Sequence, residues 1–145
     1  MAFYRKILCA VDLTDQCHLL VGRARALADT TNDITLIHIA EHPISGYGEQ
    51  PGETHVVTEA QIRQQLFPKL KPLLDRHGLR IDQGRIEFGE PAHELHRMQQ
   101  SGGYDLVIVG SHRLSKLRAL FGSTPDTLMH EIHCDLLAVH LDQQQ

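Results

Sequence analysis

The sequence predicts an α/β fold: one doubly wound domain over residues 1–145, with a five-stranded, mostly parallel sheet in the order 3-2-1-4-5 and helices on both faces. Three observations predict it. Short continuous apolar runs, above all residues 7–11 (ILCAV) and 106–109 (LVIV), have the character of strands buried on both faces. They alternate with stretches of helical spacing in the sequence β-α-β-α-β-α-β-α-β, the pattern of parallel crossover units. Right-handed crossovers then leave few topologies, of which 3-2-1-4-5 fits best. A chain of 145 residues suits a single core, and neither an internal repeat nor a domain boundary is visible.

Each element follows in order. After the strand at 7–11, Asp12-Leu13-Thr14-Asp15 supplies polar, cap-forming residues. Leu19, Leu20, Ala24, Leu27 and Ala28 fall on one helical face, and Thr31-Asn32-Asp33 breaks that helix. Residues 34–39 (ITLIHI) read as the second strand. Residues 42–57 contain Pro43, Gly46, Gly48, Pro51 and Gly52 without periodicity, which makes a long loop. Helical spacing returns at Ile62, Leu66, Leu70, Leu73 and Leu74 and ends before Gly78. Pro68 and Pro72 inside it each remove a hydrogen bond and clash with the preceding turn, so a kink or break is expected near Pro68.

Residues 85–88 (RIEF) alternate between flanking glycines, as an edge strand does. Glu90-Pro91 opens a third helix with proline in its first turn; Leu95 and Met98 face inward, and Ser101-Gly102-Gly103 stops it. Residues 106–109 are the clearest buried strand, followed at 110–121 by an irregular or briefly helical link. Ser123 or Thr124 caps the last helix, with Pro125 at its first position and Leu128, Met129 and Ile132 turned inward. Residues 136–141 (LLAVHL) form the last strand, ahead of a polar tail.

Composition narrows the function. A net charge of −4 argues against an electrostatic grip on nucleic acid or an anionic membrane, although eleven histidines begin to charge at mildly acid pH. No apolar run approaches the length of a bilayer, and the N-terminus lacks a signal-peptide core and cleavage site, so a cytoplasmic protein is expected. Cys9, Cys17 and Cys134 are odd in number, widely spaced and without a CxxC. A disulfide framework is not expected, a reducing compartment fits, and Cys9 in its apolar run reads as a small core residue.

Open parallel sheets bind ligands beyond the carboxyl ends of their strands, where the strand order switches. Here that point lies between strands one and four, which end at Asp12 and Gly110. Gly110 is expected to let the backbone turn sharply as it leaves the strand. Gly122-Ser123-Thr124 precedes a helix, so its amides and hydroxyls suit a phosphate, with Arg113, Lys116 and Arg118 adding positive charge nearby. Asp12 suits a ribose hydroxyl. Each piece also has a plainer use: Ser/Thr-Pro as a helix cap, the basic residues as a solvated face, and Asp12 as a cap of the first helix.

Residues 7–14 (ILCAVDLT), 36–39 (LIHI), 89–92 (GEPA) and 105–112 (DLVIVGSH), with the final strand at 136–141, resemble successive motifs of the universal stress protein family over nearly the whole chain. The resemblance implies a homodimeric cytoplasmic protein made under stress, joined through the last strand at Leu136, Leu137, Ala138, Val139, His140 and Leu141. Many members bind ATP through glycine-x2-glycine-x9-glycine followed by serine or threonine. Carried over, Gly110 matches the first glycine, Gly122-Ser123 the last pair, Asp12 the acidic residue at the adenosine and Ile39 the backbone contact to adenine. Ala10, His112, Arg113 and Thr124 complete the expected nucleotide-binding set.

Two departures stand out. Arg113 occupies the place of the second glycine, and only the eight residues 114–121 separate it from Gly122. Arginine does not share the conformational freedom of glycine, and it fills space where backbone and phosphate approach, though its guanidinium suits a phosphate itself. Both departures resemble the A-type branch, in which the ATP motif is degenerate. The expected function is therefore a dimeric stress-response adaptor with weak or absent ATP binding. The alternative is a switch that binds ATP or AMP, with magnesium only alongside ATP, and with slow hydrolysis or autophosphorylation at Ser123 or Thr124 at most.

Other readings fit less well. Ser101-Gly102-Gly103-Tyr104-Asp105 resembles a pyrophosphate-releasing loop but precedes strand four, where a helix stop explains it. His93/His96 and His130/His133 have metal-binding spacing without an evident third ligand beyond Cys134, so no metal is expected. A receiver domain lacks its aspartate and lysine, because Phe88-Gly89 and His140-Leu141 occupy those regions, and a flavin carrier wants aromatics in a chain without Trp. No nucleophile–base pair argues for a dedicated enzyme, and no catalytic residue is assigned.

Overall fold

The computed structural model describes residues 3–40, 58–111 and 131–141. Five strands, β1 (Ile7–Ala10), β2 (Ile34–Ala40), β3 (Gly84–Phe88), β4 (Leu106–Ser111) and β5 (Asp135–His140), form one sheet in the order β3-β2-β1-β4-β5. Every neighbouring pair is parallel, so the expected order holds and the sheet is wholly parallel. Among the described residues, helices α1 (Cys17–Leu27), α2 (Glu59–Arg76) and α3 (Pro91–Gly102) cover it. The loop expected at 42–57 and the expected helix start at Ser123 or Thr124 lie outside the described residues.

The period of two along each strand sorts side chains to opposite faces. Ile7 and Cys9 of β1, with Ile34 and Leu36 of β2, meet Cys17, Leu20, Val21 and Ala24 of α1 and Leu70, Leu73 and Leu74 of α2. Leu8 and Ile37 point the other way, onto Ala92, Leu95 and Met98 of α3, with Ile132 alongside. Burying a leucine or isoleucine fully contributes about 1.5–3 kcal/mol, and both layers contain side chains with no exposure at all. That is the physical content of apolar runs without alternation.

Two helices differ from expectation. In α1 the buried stripe runs through Cys17, Leu20, Val21 and Ala24, while Leu19 is 46% exposed. At about 100° per residue, Leu19 lies about 150° of helix from the centre of that stripe, on the solvent side. Leu27 and Ala28 only pack partly against the core.

α2 runs unbroken for 18 residues through Pro68 and Pro72, so the expected break is absent. The prolines are four apart and exposed, as is Gln64. The carbonyls that lose a partner, those of Gln64 and Pro68, therefore lie on the solvent side, where water can hydrate them. A capping box of Thr58 and Gln61 starts this helix.

α3 matches its signals closely. The Glu90 carboxylate accepts from the His93 N–H at 2.8 Å, Pro91 occupies the first turn, and Gly103 ends the helix in the left-handed region at φ 70°. At the amino ends of the strands, the Asp105 carboxylate accepts from the Arg5 and Lys6 amides, tying β1 to β4.

Candidate functional site

β1 leaves the sheet at Ala10, while its neighbours β2 and β4 continue to Ala40 and Ser111. The gap beyond β1 is the switch point, because the chain steps from β1 to β2 on one side and then crosses from β3 to β4 on the other. A partly open cleft occupies it. Ala10, Asp12, Ile39 and Gly110, four of the expected residues, line it together. Val11, Ile37, His38, Pro91 and Leu95 complete the described wall. His112, Arg113, Gly122, Ser123 and Thr124 lie outside the described residues.

Backbone parity prepares one side of this gap. The Val11 N–H donates to the Ile37 carbonyl at 2.8 Å, so the polar groups of Ile37 face β1. Two residues on, those of Ile39 face the same way, beyond the point where β1 has ended. The intervening residues face β3, as the bond from the Gly89 N–H to the Ala40 carbonyl at 3.0 Å illustrates. The Val11 carbonyl accepts from His38 Nδ1 at 2.9 Å. A carbonyl only accepts, so Nδ1 carries the proton.

Asp12 holds the turn after β1. Its Oδ1 accepts from the Thr14 N–H at 3.1 Å, from the Thr14 hydroxyl at 2.7 Å and from the Cys17 thiol at 3.0 Å. These contacts hold Leu13 at φ 66°, a left-handed conformation that costs a non-glycine residue about 1–2 kcal/mol. The N-cap of α1 is Gln16, without a side-chain cap bond, so the plainer reading of Asp12 as the cap of that helix is not what the chain uses. Asp12 orders the turn between strand and helix instead. Burial first, and then the Asp12 carboxylate, push the Cys17 thiol up to about 12.

Gly110 plays a different part than expected. It continues β4 without a positive φ, so no sharp turn requires it. A Cβ there would meet Leu141 Cδ1 at 2.6 Å, so any larger residue requires the Leu141 side chain to shift. Gly89, at φ 140°, supplies the real turn and delivers Glu90 and Pro91 to the start of α3. Pro91, Leu95 and Cys17 were not legible as site residues, because no linear signal says which residues of a helix reach a strand end.

The histidine pairs separate: His93 is exposed, whereas His96 packs edge-on against His133 with ring centroids 5.2 Å apart. His130 lies outside the described residues. Among the described residues no three His, Cys, Asp or Glu side chains converge as metal ligands. All three cysteines are free thiols, and Cys9 is wholly buried.

Comparison with known proteins decides the family. The sequence model of the universal stress protein family matches residues 3–140. The chain belongs to the universal stress protein family. A relative, universal stress protein A homolog 2 of Coxiella burnetii, is 30% identical over 141 residues, covering 95% of this chain and 96% of that protein. Among solved structures, a universal stress protein in complex with cAMP superposes with a TM-score of 0.58 at 20% identity, covering 94% of this chain and 97% of the other. The universal stress protein of Archaeoglobus fulgidus in complex with dAMP does so with a TM-score of 0.54 at 12% identity, covering 93% and 97%. At these identities the likeness shows the fold.

The cleft of this universal stress protein combines apolar and polar groups. Pro91, Leu95 and Ile39 give it an apolar wall, and Asp12 lies on its lining. No helix among the described residues is long and apolar enough to cross a membrane.

Proposed function

We propose that this chain is a dimeric stress-response protein whose switch-point cleft takes the adenosine part of ATP or AMP and grips a triphosphate weakly. The observation that carries this reading is the convergence of Ala10, Asp12, Ile39 and Gly110 on one cleft. The nucleotides held by two structural relatives, cAMP and dAMP, support the choice of base. Asp12 receives the ribose hydroxyls and the Ile39 backbone meets the adenine edge. Arg113 in place of glycine, with the shortened spacing to Gly122, Ser123 and Thr124, weakens the phosphate cradle. Magnesium enters only with the triphosphate, and His112 and Arg113 meet the phosphates.

The second protomer docks along β5, the last strand of the sheet. Leu136 and Leu137 are half-buried there and Ala138 and His140 exposed, while Val139 and Leu141 are buried in the chain's own core and contribute backbone alone. The protein works in the cytoplasm, as its composition suggests, and uses no nucleic acid or membrane partner.

Calorimetric titration of nucleotide-stripped protein with AMP and with ATP and magnesium tests the reading. Micromolar AMP binding that is lost in Asp12→Ala is the expected result. No binding by folded protein would overturn it and favour a nucleotide-free adaptor. One observation favours that second reading: Oδ1 of Asp12 is already engaged by its own turn.

A further inference from the structure

A side chain ends the pairing of β1 with β2. Ala10 and Ile37 are the last pair of that ladder. Bonds of a parallel ladder are evenly spaced, so after the bond from the Val11 N–H to the Ile37 carbonyl, the Val11 carbonyl would next accept from the Ile39 N–H. It accepts from His38 Nδ1 at 2.9 Å instead. An imidazole thus takes the carbonyl that would bind the first β2 donor beyond the end of β1.

The ring does this from behind the cleft. Ile37 and Ile39 share the α3 layer with Leu95, whereas Ile34 and Leu36 belong to the layer of α1 and α2. By the period of two, His38 turns with Ile34 and Leu36, away from the apolar wall. Val11, which it holds, is 4% exposed and packs in that same layer. We infer that His38 is a positioning residue for the base: by holding the Val11 carbonyl it leaves the Ile39 N–H to a purine edge, and so sets a preference of the cleft for adenine over hypoxanthine. The inference rests on the reading of the cleft as a nucleotide site with the Ile39 backbone at the adenine edge.

Adenine N1 accepts a hydrogen bond and its 6-amino group donates; hypoxanthine donates at N1 and accepts at O6. A backbone that presents its N–H to N1 and its carbonyl to position 6 matches the first base and opposes the second. Without the ring, the Val11 carbonyl is left buried and unpaired, which is unfavourable. The next donor of the ladder, the Ile39 N–H, then closes on it and is lost to the base.

The test is calorimetric titration of the full chain with AMP and with inosine monophosphate, in wild type, His38→Ala and His38→Asn. Alanine removes the donor; asparagine puts an amide N–H near the place of Nδ1 and keeps it. Wild type is expected to prefer AMP. His38→Ala is expected to weaken AMP about tenfold, which is about 1.4 kcal/mol, and inosine monophosphate by less than about twofold, with His38→Asn restoring most of the loss. Hydrogen exchange of the Ile39 amide, read by NMR without nucleotide, is expected to slow about tenfold or more in His38→Ala as the new ladder bond forms.

If His38→Ala fails to fold, His38→Leu fills the volume without a donor and carries the same expectations. An unchanged ratio of the two affinities, or an Ile39 amide that exchanges no more slowly, overturns the positioning role and leaves the nucleotide reading intact. Binding of neither nucleotide by folded wild type overturns the nucleotide reading and this inference with it.

Discussion

Replacing Gly110 with alanine puts a methyl group 2.6 Å from Leu141 Cδ1, 3.4 Å from its Cγ and 3.6 Å from Leu20 Cδ1. Comfortable carbon contacts lie at about 3.5–4.0 Å, so the new group overlaps Cδ1 by about 1 Å and meets Leu20 without strain. Leu141 is 1% exposed and has no solvent to swing into. Either its side chain leaves a rotamer well or β5 shifts against β4, and overpacking of that kind costs about 1–3 kcal/mol. Alanine offsets part of this, since glycine in a strand loses about 0.5–1 kcal/mol to conformational entropy. Gly110→Ala should therefore destabilise by about 1–2 kcal/mol.

Leu141→Ala alone should cost about 2–5 kcal/mol. In that background, however, Gly110→Ala should be neutral or stabilising by up to about 1 kcal/mol. Urea denaturation of the four proteins in this cycle, followed by circular dichroism, measures the coupling, expected at about 1–3 kcal/mol. Gly110→Ala within about 0.5 kcal/mol of wild type, or with the same cost in both backgrounds, would refute the claim that Leu141 dictates the glycine.

Three further outcomes are expected. Arg25 donates to His77 Nδ1 at 3.2 Å and His77 Nε2 lies 2.9 Å from His18 Nδ1, which requires both rings neutral, and burial lowers the proton affinity of each. Unfolded histidines titrate near 6.5, so just below that pH the unfolded chain binds more protons than the native one, and stability falls as pH falls. Arg25 and Arg76 oppose protonation further, while Asp15 partly offsets this at His18. A His18→Gln/His77→Gln protein should lose less stability between pH 7 and 5, and parallel urea-midpoint profiles would contradict this. Pro68→Ala should raise stability by about 1–3 kcal/mol by restoring a helix hydrogen bond on the exposed face of α2, and a lowered thermal midpoint would count against the continuous helix. Ala138→Lys, a charge on the exposed edge of β5, should convert a dimer to monomer in sedimentation analysis; a monomeric wild type would remove the dimer.

Strand order and layers were legible because they follow from one local property, the density of apolar residues. Residues 7–11 and 106–109 lack alternation because each is covered on both faces, and covered strands joined by helices can only be wound in a few ways. The same rule located Asp12 and Gly110 at the switch point. The proline pair pointed to a break that is absent, because a linear pattern gives no weight to which carbonyls face water.

Tertiary structure decided the roles within the site. Gly110 looked like a turn residue and is a packing residue, since its neighbour Leu141 is 31 positions away in sequence. Cys17 looked incidental and grips Asp12, because the turn at Leu13 folds α1 back over the end of β1. Pro91 and Leu95 reach the cleft only through the crossover from β3. Periodicity reports how an element meets its own layer. Which atoms meet across layers is set by distances between residues remote in sequence, and only the folded chain fixes those.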